Sequence, residues 1–368
     1  MVSVTDPVVV AARRSALAVR GRGLARADVA RLGGAVVAAV VADAGAPPIA
    51  DVVMGNCMGP GGNPGRLSAL AAGLGPTVPG GAVDRQCGSG LSAILDAALA
   101  VRTDGRHRVA GGVESASTAP VRSIDGTAYA RAPFAPAGFA DPDMLRAAED
   151  LARHDGLTRA RQDACAERSH ARAAAARSAG RLVAEFVAVD GVREDEAAGT
   201  GATVLARLAP LFPGGTVTAG TSTRIGDGAA AVAIAPAGAA TGLALRGSAV
   251  VGCDPALPGV GAAFAVEAAL TDAGVELVEV AAFEIVEAFA AQSIAVLSRL
   301  GLADDDPRVC ADGGALALGH PWGASGAVAV VRLFSRLVRA GAPAGAYGVA
   351  AASVGGGLGI AAVFEVVR

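Results

Sequence analysis

Short apolar runs alternate along the chain with longer stretches that are rich in Ala. The runs have the length of strands, and the Ala-rich stretches have the length of helices. The predicted strands include Pro7 to Ala12, Asp51 to Met54, Val109 to Gly112, and Ala281 to Val286. This alternation is typical of a mixed sheet between helices, so the pattern predicts a layered α/β fold.

The pattern of elements occurs twice along the chain. A predicted helix ends at Asp43-Ala44-Gly45 before a strand near Val52, and another ends at Asp272-Ala273-Gly274 before a strand near Phe283. Two Gly-rich turns continue the repeat. We therefore interpret the chain as two halves built from one repeated β-α unit, residues 1–240 and 241–368.

Each of the two Gly-rich turns precedes a predicted apolar helix. Cys87-Gly88-Ser89-Gly90 is followed by Leu91 to Val101, and Gly323-Ala324-Ser325-Gly326 is followed by Ala327 to Val338. A different segment, at about 115–205, lies inside the first half. It is rich in Arg, Ala and acidic residues, and its part from Met144 to Gly180 is helical by pattern, so we predict a largely helical inserted domain.

Composition excludes several classes of function. Hydrophobic residues make up 52% of the 368 residues and 51 are Gly, which favours a compact α/β protein over a disordered one. All 31 basic residues are Arg, so a Schiff-base or P-loop lysine is excluded. The net charge of -3 and the lack of a basic cluster argue against nucleic acid as the main partner.

No apolar run is long enough for a membrane span without Gly, Pro or charged residues. Met1 to Arg14 has no charged start before its apolar stretch, so it is interpreted as a first strand and not as a secretory signal. We therefore expect a cytoplasmic protein without a membrane partner.

The five cysteines are scattered and form no C-x-x-C pair, so we expect neither a metal site nor disulfides. They are Cys57, Cys87, Cys165, Cys253 and Cys310.

Cys87 is the candidate nucleophile. It stands in the run Asp84-Arg85-Gln86-Cys87-Gly88-Ser89-Gly90, where a helix is predicted to begin. A helix N-terminus lowers the pKa of a thiol, and flanking glycines let backbone amides approach a substrate carbonyl as an oxyanion hole. The alternative is a small buried hydrophobic residue.

His320 is the candidate base, because the turn Gly319-His320-Pro321 places it beside a second helix start. A satisfied core histidine is the alternative. The other histidines are less suitable, since His107 and His170 lie in Arg-rich stretches expected to be exposed and His154 lies in the helical insertion.

A third cluster, Ala351 to Gly359, is a Gly-rich loop after a strand. It could be a tight connection or a phosphate cradle, but it lacks the G-x-G-x-x-G spacing of a dinucleotide site and opens no helix.

These three clusters, in this order and at these separations, resemble the thiolase family, and the resemblance runs from end to end. Further matching stretches are Gly55 to Cys57, Asn63 to Arg66, Gly111 to Ser115, Gln162-Asp163, Arg168 to His170, Gly215 to Gly220, and Glu287 to Gln292. The resemblance implies the thiolase fold, with two repeated halves in an α/β/α/β/α arrangement and an inserted loop domain that shapes the acyl-CoA site.

The resemblance also implies the site and the assembly. Cys87 would be the acylated nucleophile, His320 would activate it, and the amides of Cys87 and Gly355 would form the oxyanion hole. A coenzyme A thioester would be the substrate, with no covalently bound cofactor, and the protein would be a homodimer or homotetramer. Residues placed along the coenzyme A and substrate tunnel, for which ordinary packing is the alternative, are Met144, Phe212, Ala219, Gly220, Thr223, Val286, Ala288 and Phe289.

Two positions depart from the family pattern. Val286 stands where thiolases usually have an Asn that holds a water at the enolate oxygen of the second thioester, and valine cannot hold that water. Ser353 stands where they usually have a second Cys, the base that removes the α-proton. A serine hydroxyl is a far weaker acid than a thiol and an unsuitable base without an activator.

Three hypotheses follow. The first is a thiolase-type acyltransferase that passes the acyl group from Cys87 to a carbon nucleophile or to CoA, as in fatty acid or polyketide-like metabolism. The second keeps the acyl-enzyme but changes the acceptor to an activated carbon, an amine, a hydroxyl or water, and Val286 and Ser353 support it. The third is a non-catalytic partner subunit, against which the retained Cys87 and His320 weigh. The sequence leaves open a carrier-protein donor and a further subunit.

Overall fold

A computed structural model describes residues 6–196, 199–238 and 241–368. The strands are β1 Val8–Ser15, β2 Ala18–Val19, β3 Val52–Gly55, β4 Gly80–Val83, β5 Arg108–Ser115, β6 Arg122–Ile124, β7 Thr127–Tyr129, β8 Phe186–Val187, β9 Gly226–Ala235, β10 Gly242–Gly252, β11 Val280–Ile285, β12 Tyr347–Val354 and β13 Leu358–Val367. The α-helices are α1 Val29–Asp43, α2 Pro64–Ala71, α3 Ser89–Asp104, α4 Met144–His154, α5 Arg159–Ser178, α6 Ala202–Arg207, α7 Gly261–Ala273, α8 Ala290–Arg299, α9 Ala315–Leu318 and α10 Trp322–Leu333.

The large sheet is mixed, with the strand order β11-β12-β13-β10-β1-β9-β5-β3-β4. It divides at a narrow junction, because within the described ranges β1 pairs with β10 at two positions, Val8 with Ala244 and Val9 with Leu243. Parallel pairs occur at both ends of the sheet: β3 runs parallel to β4 and β5, and β11 runs parallel to β12. Two strand sets therefore lie on either side of the β1–β10 junction.

Helices fill the space between the two strand sets and cover their outer faces. The inner helices α3 and α10 contact strands of both sets, α1 and α2 pack on the first set, and α7 packs on the second. Buried apolar side chains form one cluster in each of these helix–strand interfaces. The result is the α/β/α/β/α layering that the family resemblance predicted.

The predicted strands and helix ends are confirmed. The four predicted strands correspond to β1, β3, β5 and β11, and α1 and α7 end at Asp43 and Ala273. Gly274, which follows α7, has a left-handed φ of 65°, a conformation that favours glycine as a helix terminator. Local residue pattern was sufficient for the strands because they are buried along nearly their whole length and therefore form continuous apolar runs in the sequence.

The inserted segment differs in part from the prediction. A hairpin of β6 and β7 and an irregular stretch precede the helices, and the predicted helix from Met144 to Gly180 is divided into α4 and α5. Gly156 takes a left-handed φ of 63°, and the side chain of Thr158 accepts a hydrogen bond from the amide of Arg161 to begin α5. The Gly turn and the new N-cap explain the break.

Three parts of the sequence predictions lie outside the described residues. They are residues 1–5 of the N-terminal segment, residues 197–198 of the inserted segment, and residues 239–240, where the predicted boundary between the halves falls. Within the described ranges, no helix is long and apolar enough to cross a lipid bilayer.

A buried ionic network joins the end of the insertion to the sheet and to α10. Arg14 on β1 donates to Glu185 at 2.6 Å and to Asp195 at 2.7 Å, and Arg332 on α10 donates to Glu185 at 2.7 Å. Burial favours the protonated form of Glu185, but the two guanidinium groups outweigh it and hold the pKa of this carboxyl below its usual range. Removing one partner would leave a buried charge unpaired, which typically costs about 3–5 kcal/mol.

Candidate active site

Cys87 lies in a short 3-10 turn, Gln86–Gly88, directly before α3. Gln86 has a left-handed φ of 42°, which is unusual for a residue with a side chain. Its carbonyl accepts hydrogen bonds from the Ser89 hydroxyl at 2.6 Å and the Cys57 thiol at 3.0 Å. The Ser89 hydroxyl also accepts from the amide of Arg85 at 2.7 Å. These bonds hold the turn in one conformation and fix the position of Cys87.

His320 contacts the Cys87 thiol although the two residues are 233 positions apart in the sequence. Its Nε2 lies 3.1 Å from Sγ of Cys87, and its Nδ1 lies 2.6 Å from the hydroxyl of Ser325. The backbone amide of His320 donates to the carbonyl of Arg224 at 2.8 Å. The imidazole is therefore held at both ring nitrogens and through its own backbone.

Burial keeps both members of this pair uncharged. It raises the pKa of the Cys87 thiol to about 12, against the lowering effect of the amides of Cys87 and Gly355, and the negative charge of Glu114 adds to the increase. Burial also lowers the pKa of His320 to about 4. The lowering effect expected from the amide at the helix N-terminus is present, but the loss of solvation outweighs it, so the net shift of the thiol pKa in the free protein is upward.

The uncharged state determines which ring nitrogen carries the proton. A neutral thiol donates to Nε2 of His320, so Nδ1 must carry the hydrogen and donate it to Ser325. In this tautomer Nε2 is free to take the thiol proton when the sulfur attacks an electrophile. The arrangement can therefore generate a nucleophile at the moment of reaction without storing a thiolate.

Two backbone amides converge on the Cys87 sulfur. They belong to Cys87 itself and to Gly355, and each favours the ionised form of the sulfur and lowers the pKa of the thiol. Gly355 directly follows β12 and precedes Gly356 and Gly357, which have left-handed φ values of 85° and 79°. Amides aimed at one point beside a nucleophile can stabilise an oxyanion that forms there.

Glu114 connects several elements around the site through hydrogen bonds. Its buried carboxylate accepts from the side chain of Asn56 at 3.1 Å and from the amides of Cys57, Met58 and Gly323, each at 3.0 Å. Burial raises the pKa of Glu114 despite these hydrogen bonds. The carboxylate joins the loop after β3 to the first turn of α10, which carries Ser325.

The two departures from the family pattern have clear structural environments. The hydroxyl of Ser353 donates to the carbonyl of Gly259 at 2.7 Å and accepts from the amide of Ala262 at 3.0 Å. Val286 is 7% exposed, packs in the apolar cluster around α10, and donates its amide to the carbonyl of Ala351 at 2.9 Å. Ser353 is thus bonded to the start of α7, and Val286 presents an apolar side chain.

Several of the predicted tunnel residues come together beside His320. The amide of Thr223 donates to the carbonyl of Ala288 at 3.0 Å, and a β-bridge joins Ser222 to Phe289. A further bridge joins Ile225 to His320, so the ribbon that carries Thr223 continues to the candidate base.

The remaining predicted tunnel residues lie in the inserted segment and the loop after it. Met144 is the first residue of α4, and Arg146 on the same turn lies over the ring of Phe212 at 5.3 Å. Ala219 and Gly220 lie in a turn where the amide of Gly220 donates to the hydroxyl of Thr218 at 3.2 Å.

Ser325, Glu114 and Ser89 were not assigned roles from the sequence. All three stand in the quoted motifs, so a search for polar residues within those motifs would have found them. The expected exposure of His170 is wrong: it is only 4% exposed, because α5 packs this face against α9. Burial, with a smaller contribution from the Arg224 charge, lowers the pKa of His170 to about 4.

A partly buried thiol paired with a buried imidazole, with two backbone amides beside the sulfur on a layered α/β scaffold, defines a class of enzymes that handle acyl groups as cysteine thioesters. Two family models match the chain: "Thiolase, N-terminal domain" at residues 7–238 and "Thiolase, C-terminal domain" at residues 240–366. The chain therefore belongs to the thiolase family of acyltransferases.

Named relatives agree with the family models. A 3-ketoacyl-CoA thiolase of Erwinia tasmaniensis is 41% identical over 82% of both chains, and the peroxisomal 3-ketoacyl-CoA thiolase A of Rattus norvegicus is 37% identical over 99% of this chain and 89% of its own. The crystal structure of the Bacillus anthracis acetyl-CoA acetyltransferase superposes with a TM-score of 0.90 at 31% identity, covering 99% of this chain and 100% of that one.

Proposed function

We propose that the protein accepts an acyl group from a coenzyme A thioester onto Cys87. The observation that carries the proposal is the 3.1 Å contact between Nε2 of His320 and Sγ of Cys87. As the sulfur attacks the thioester carbonyl, its proton passes to Nε2. The carbonyl oxygen becomes an oxyanion at the amides of Cys87 and Gly355.

The collapse of this intermediate completes the first half of the reaction. The bond from the carbonyl carbon to the sulfur of coenzyme A breaks, and the leaving thiolate takes the proton from His320. The products are free coenzyme A and an acyl-Cys87 thioester. We propose that Met144, Phe212, Ala219, Gly220, Thr223, Ala288 and Phe289 line the path of the coenzyme A.

Two classes of acyl acceptor are candidates for the second half of the reaction. Transfer to a carbon nucleophile or back to coenzyme A is the first candidate. Removing an α-proton from a second thioester needs a base. The Ser353 hydroxyl donates its proton to a backbone carbonyl and accepts from a backbone amide, and neither partner is a base that would activate it. The apolar Val286 supplies no donor to an enolate oxygen. These observations favour the second candidate, an acceptor that needs no strong base, such as an activated carbon, an amine, a hydroxyl or water.

Intact-protein mass spectrometry after incubation with acetyl-CoA tests the acyl-enzyme. We expect the mass to increase by one acetyl group, and we expect no increase in Cys87→Ala. Cys253→Ala is the matched control, since it removes a partly exposed thiol and should keep the adduct. An adduct that persists in Cys87→Ala, or the absence of any adduct, contradicts the proposal.

Exchange of deuterium from the methyl group of acetyl-CoA tests the second half separately. An oxyanion site that lacks one donor typically loses about 10²- to 10³-fold in rate, so we expect exchange at least about 10²-fold slower than in an ordinary thiolase. The double variant Val286→Asn with Ser353→Cys should exchange faster than the unmodified protein. Exchange at the rate of an ordinary thiolase would show that the carbanion half is intact.

A further inference from the structure

An aromatic side chain from the inserted segment covers the oxyanion loop. The ring of Phe134 lies so close to Gly355 that a Cβ added there would be 2.6 Å from Cε2 of the ring. A Cβ added to Gly356 would lie 3.0 Å from the carbonyl oxygen of Phe134. Phe134 therefore rests directly on the glycine whose amide faces Cys87.

Position 355 requires a glycine because of the neighbouring ring and not because of its backbone conformation. Gly356 and Gly357 have left-handed φ values, which explain why residues with side chains are disfavoured there. Gly355 lies outside that region of φ, so its backbone would tolerate a side chain. The lack of a Cβ at Gly355 is needed because the ring of Phe134 occupies the space.

Contacts within the inserted segment hold the ring in place. Arg131 donates to the carboxylate of Asp141 at 2.6 Å, and its guanidinium lies over the Phe134 ring at 4.6 Å from the centroid. The amide of Phe134 donates to the same carboxylate at 3.2 Å. The ring is thus fixed from its own segment, although it is only half-buried.

On the basis of the proposed acyl-enzyme, we propose that Phe134 is the specificity-determining residue that restricts Cys87 to short acyl groups. A carbonyl oxygen bonded to the Gly355 amide places its carbon about 4 Å from that nitrogen, since the hydrogen bond spans about 2.9 Å and the C=O bond adds about 1.2 Å. The first carbons of the acyl chain then lie within reach of the ring. A long or branched chain would have to displace the ring and the Arg131–Asp141 contact.

Competition between acyl donors tests this proposal. The protein is incubated with an equimolar mixture of acetyl-CoA and octanoyl-CoA, and the early ratio of the two Cys87 adducts is measured by intact mass. We expect the acetyl adduct to predominate in the unmodified protein. In Phe134→Ala the octanoyl-to-acetyl ratio should rise at least about tenfold, because removal of the ring leaves space for several methylenes of the octanoyl chain. Phe134→Leu, which keeps an apolar side chain on the glycines, should give an intermediate ratio.

Phe139→Ala is the matched control, because this phenylalanine of the same segment is 66% exposed and should leave the ratio unchanged. An unchanged ratio in both Phe134 variants, or equal loading of the two donors by the unmodified protein, overturns the proposal while the acyl-enzyme stands. Absence of every adduct in the unmodified protein overturns the acyl-enzyme, and with it the specificity role.

Discussion

At the scale of single residues, the position of the His320 imidazole depends on Ser325. The hydroxyl lies 2.6 Å from Nδ1, opposite the nitrogen that contacts Cys87. Ser325→Ala removes this bond, and the net loss of one such hydrogen bond is typically about 1 kcal/mol, so we expect the first-order rate of Cys87 acylation to fall about five- to tenfold. The acyl-CoA concentration for half-maximal rate should change little, because Ser325 does not line the proposed coenzyme A path.

Ser68→Ala is the control for this substitution. Its hydroxyl is also buried in a helix, where it donates to the carbonyl of Pro64 at 2.7 Å, and it belongs to α2. A fall of similar size in Ser68→Ala, or no fall in Ser325→Ala, would contradict the positioning role.

The buried His320 also makes the stability of the protein depend on pH. Its pKa is about 4 in the folded protein and 6.5 when unperturbed, so the unfolded state binds the proton more tightly. Above pH 6.5 the ring is neutral in both states and the free energy of unfolding does not depend on it. As the pH falls from 6.5 towards 4, the ring takes up a proton in the unfolded state first, and the free energy of unfolding decreases. The difference corresponds to about 2 kcal/mol between pH 7 and pH 4.5.

Urea unfolding at pH 7 and pH 4.5 measures this contribution. We expect the free energy of unfolding to fall less between the two pH values in His320→Gln than in the unmodified protein, by about 2 kcal/mol. His107→Gln, a substitution of a histidine outside the active site, should retain the full decrease. Equal decreases in His320→Gln and the unmodified protein would mean that His320 is not held neutral by burial.

At the scale of elements, the two inner helices meet through glycine. A Cβ on Gly90 of α3 would lie 2.8 Å from the carbonyl oxygen of Gly323 and 2.9 Å from the amide nitrogen of Ala327, both on α10. A backbone atom cannot move aside as a flexible side chain can. The close approach of these helices sets the positions of Cys87 and His320, which stand at their N-terminal ends.

Gly90→Ala should therefore destabilise the fold, although alanine is normally the better helix former. Overpacking of this kind typically costs about 1–3 kcal/mol, which exceeds the gain in helix propensity. Urea unfolding measures the loss. Gly252→Ala is the control, since a Cβ there meets no atom within 4 Å, and we expect it to change stability by less than about 0.5 kcal/mol. A stable Gly90→Ala would show that the two helices can separate without cost.

At the scale of the whole molecule, we expect two or four copies of the chain to associate, and the β4 edge of the sheet is suited to this. β4 is the terminal strand of the sheet order and has four residues, and α2 beside it exposes Leu67 and Leu70 by 39% and 46%. An open strand edge flanked by apolar side chains is a surface that pairs readily with a second copy.

Leu70→Arg tests this interface by placing a charge in it. We expect light scattering to give the mass of an oligomer for the unmodified protein and a lower mass for the variant. Val278→Arg is the control, because Val278 is 77% exposed next to β11 at the opposite edge, and it should leave the mass unchanged. A monomeric unmodified protein, or dissociation by the control alone, would rule out association through β4.

The sequence by itself determined the features that depend on neighbouring residues. Strands β1, β3, β5 and β11, the ends of α1 and α7, and the turn before α3 follow from local apolar runs and glycines. The family resemblance, which depends on motif order, added the layering. The break between α4 and α5 was missed, because a single glycine at position 156 is a weak signal within a long Ala-rich pattern.

Only the tertiary structure decided the features that depend on distant residues. It placed His320 3.1 Å from Cys87 across 233 positions, and the loss of solvation there raises the pKa of the thiol against the lowering effect of the nearby amides. No motif in the sequence predicted that Phe134 covers Gly355. Solvation and steric exclusion are set by every chain segment that surrounds a group, so a pattern of neighbours along the sequence does not contain them.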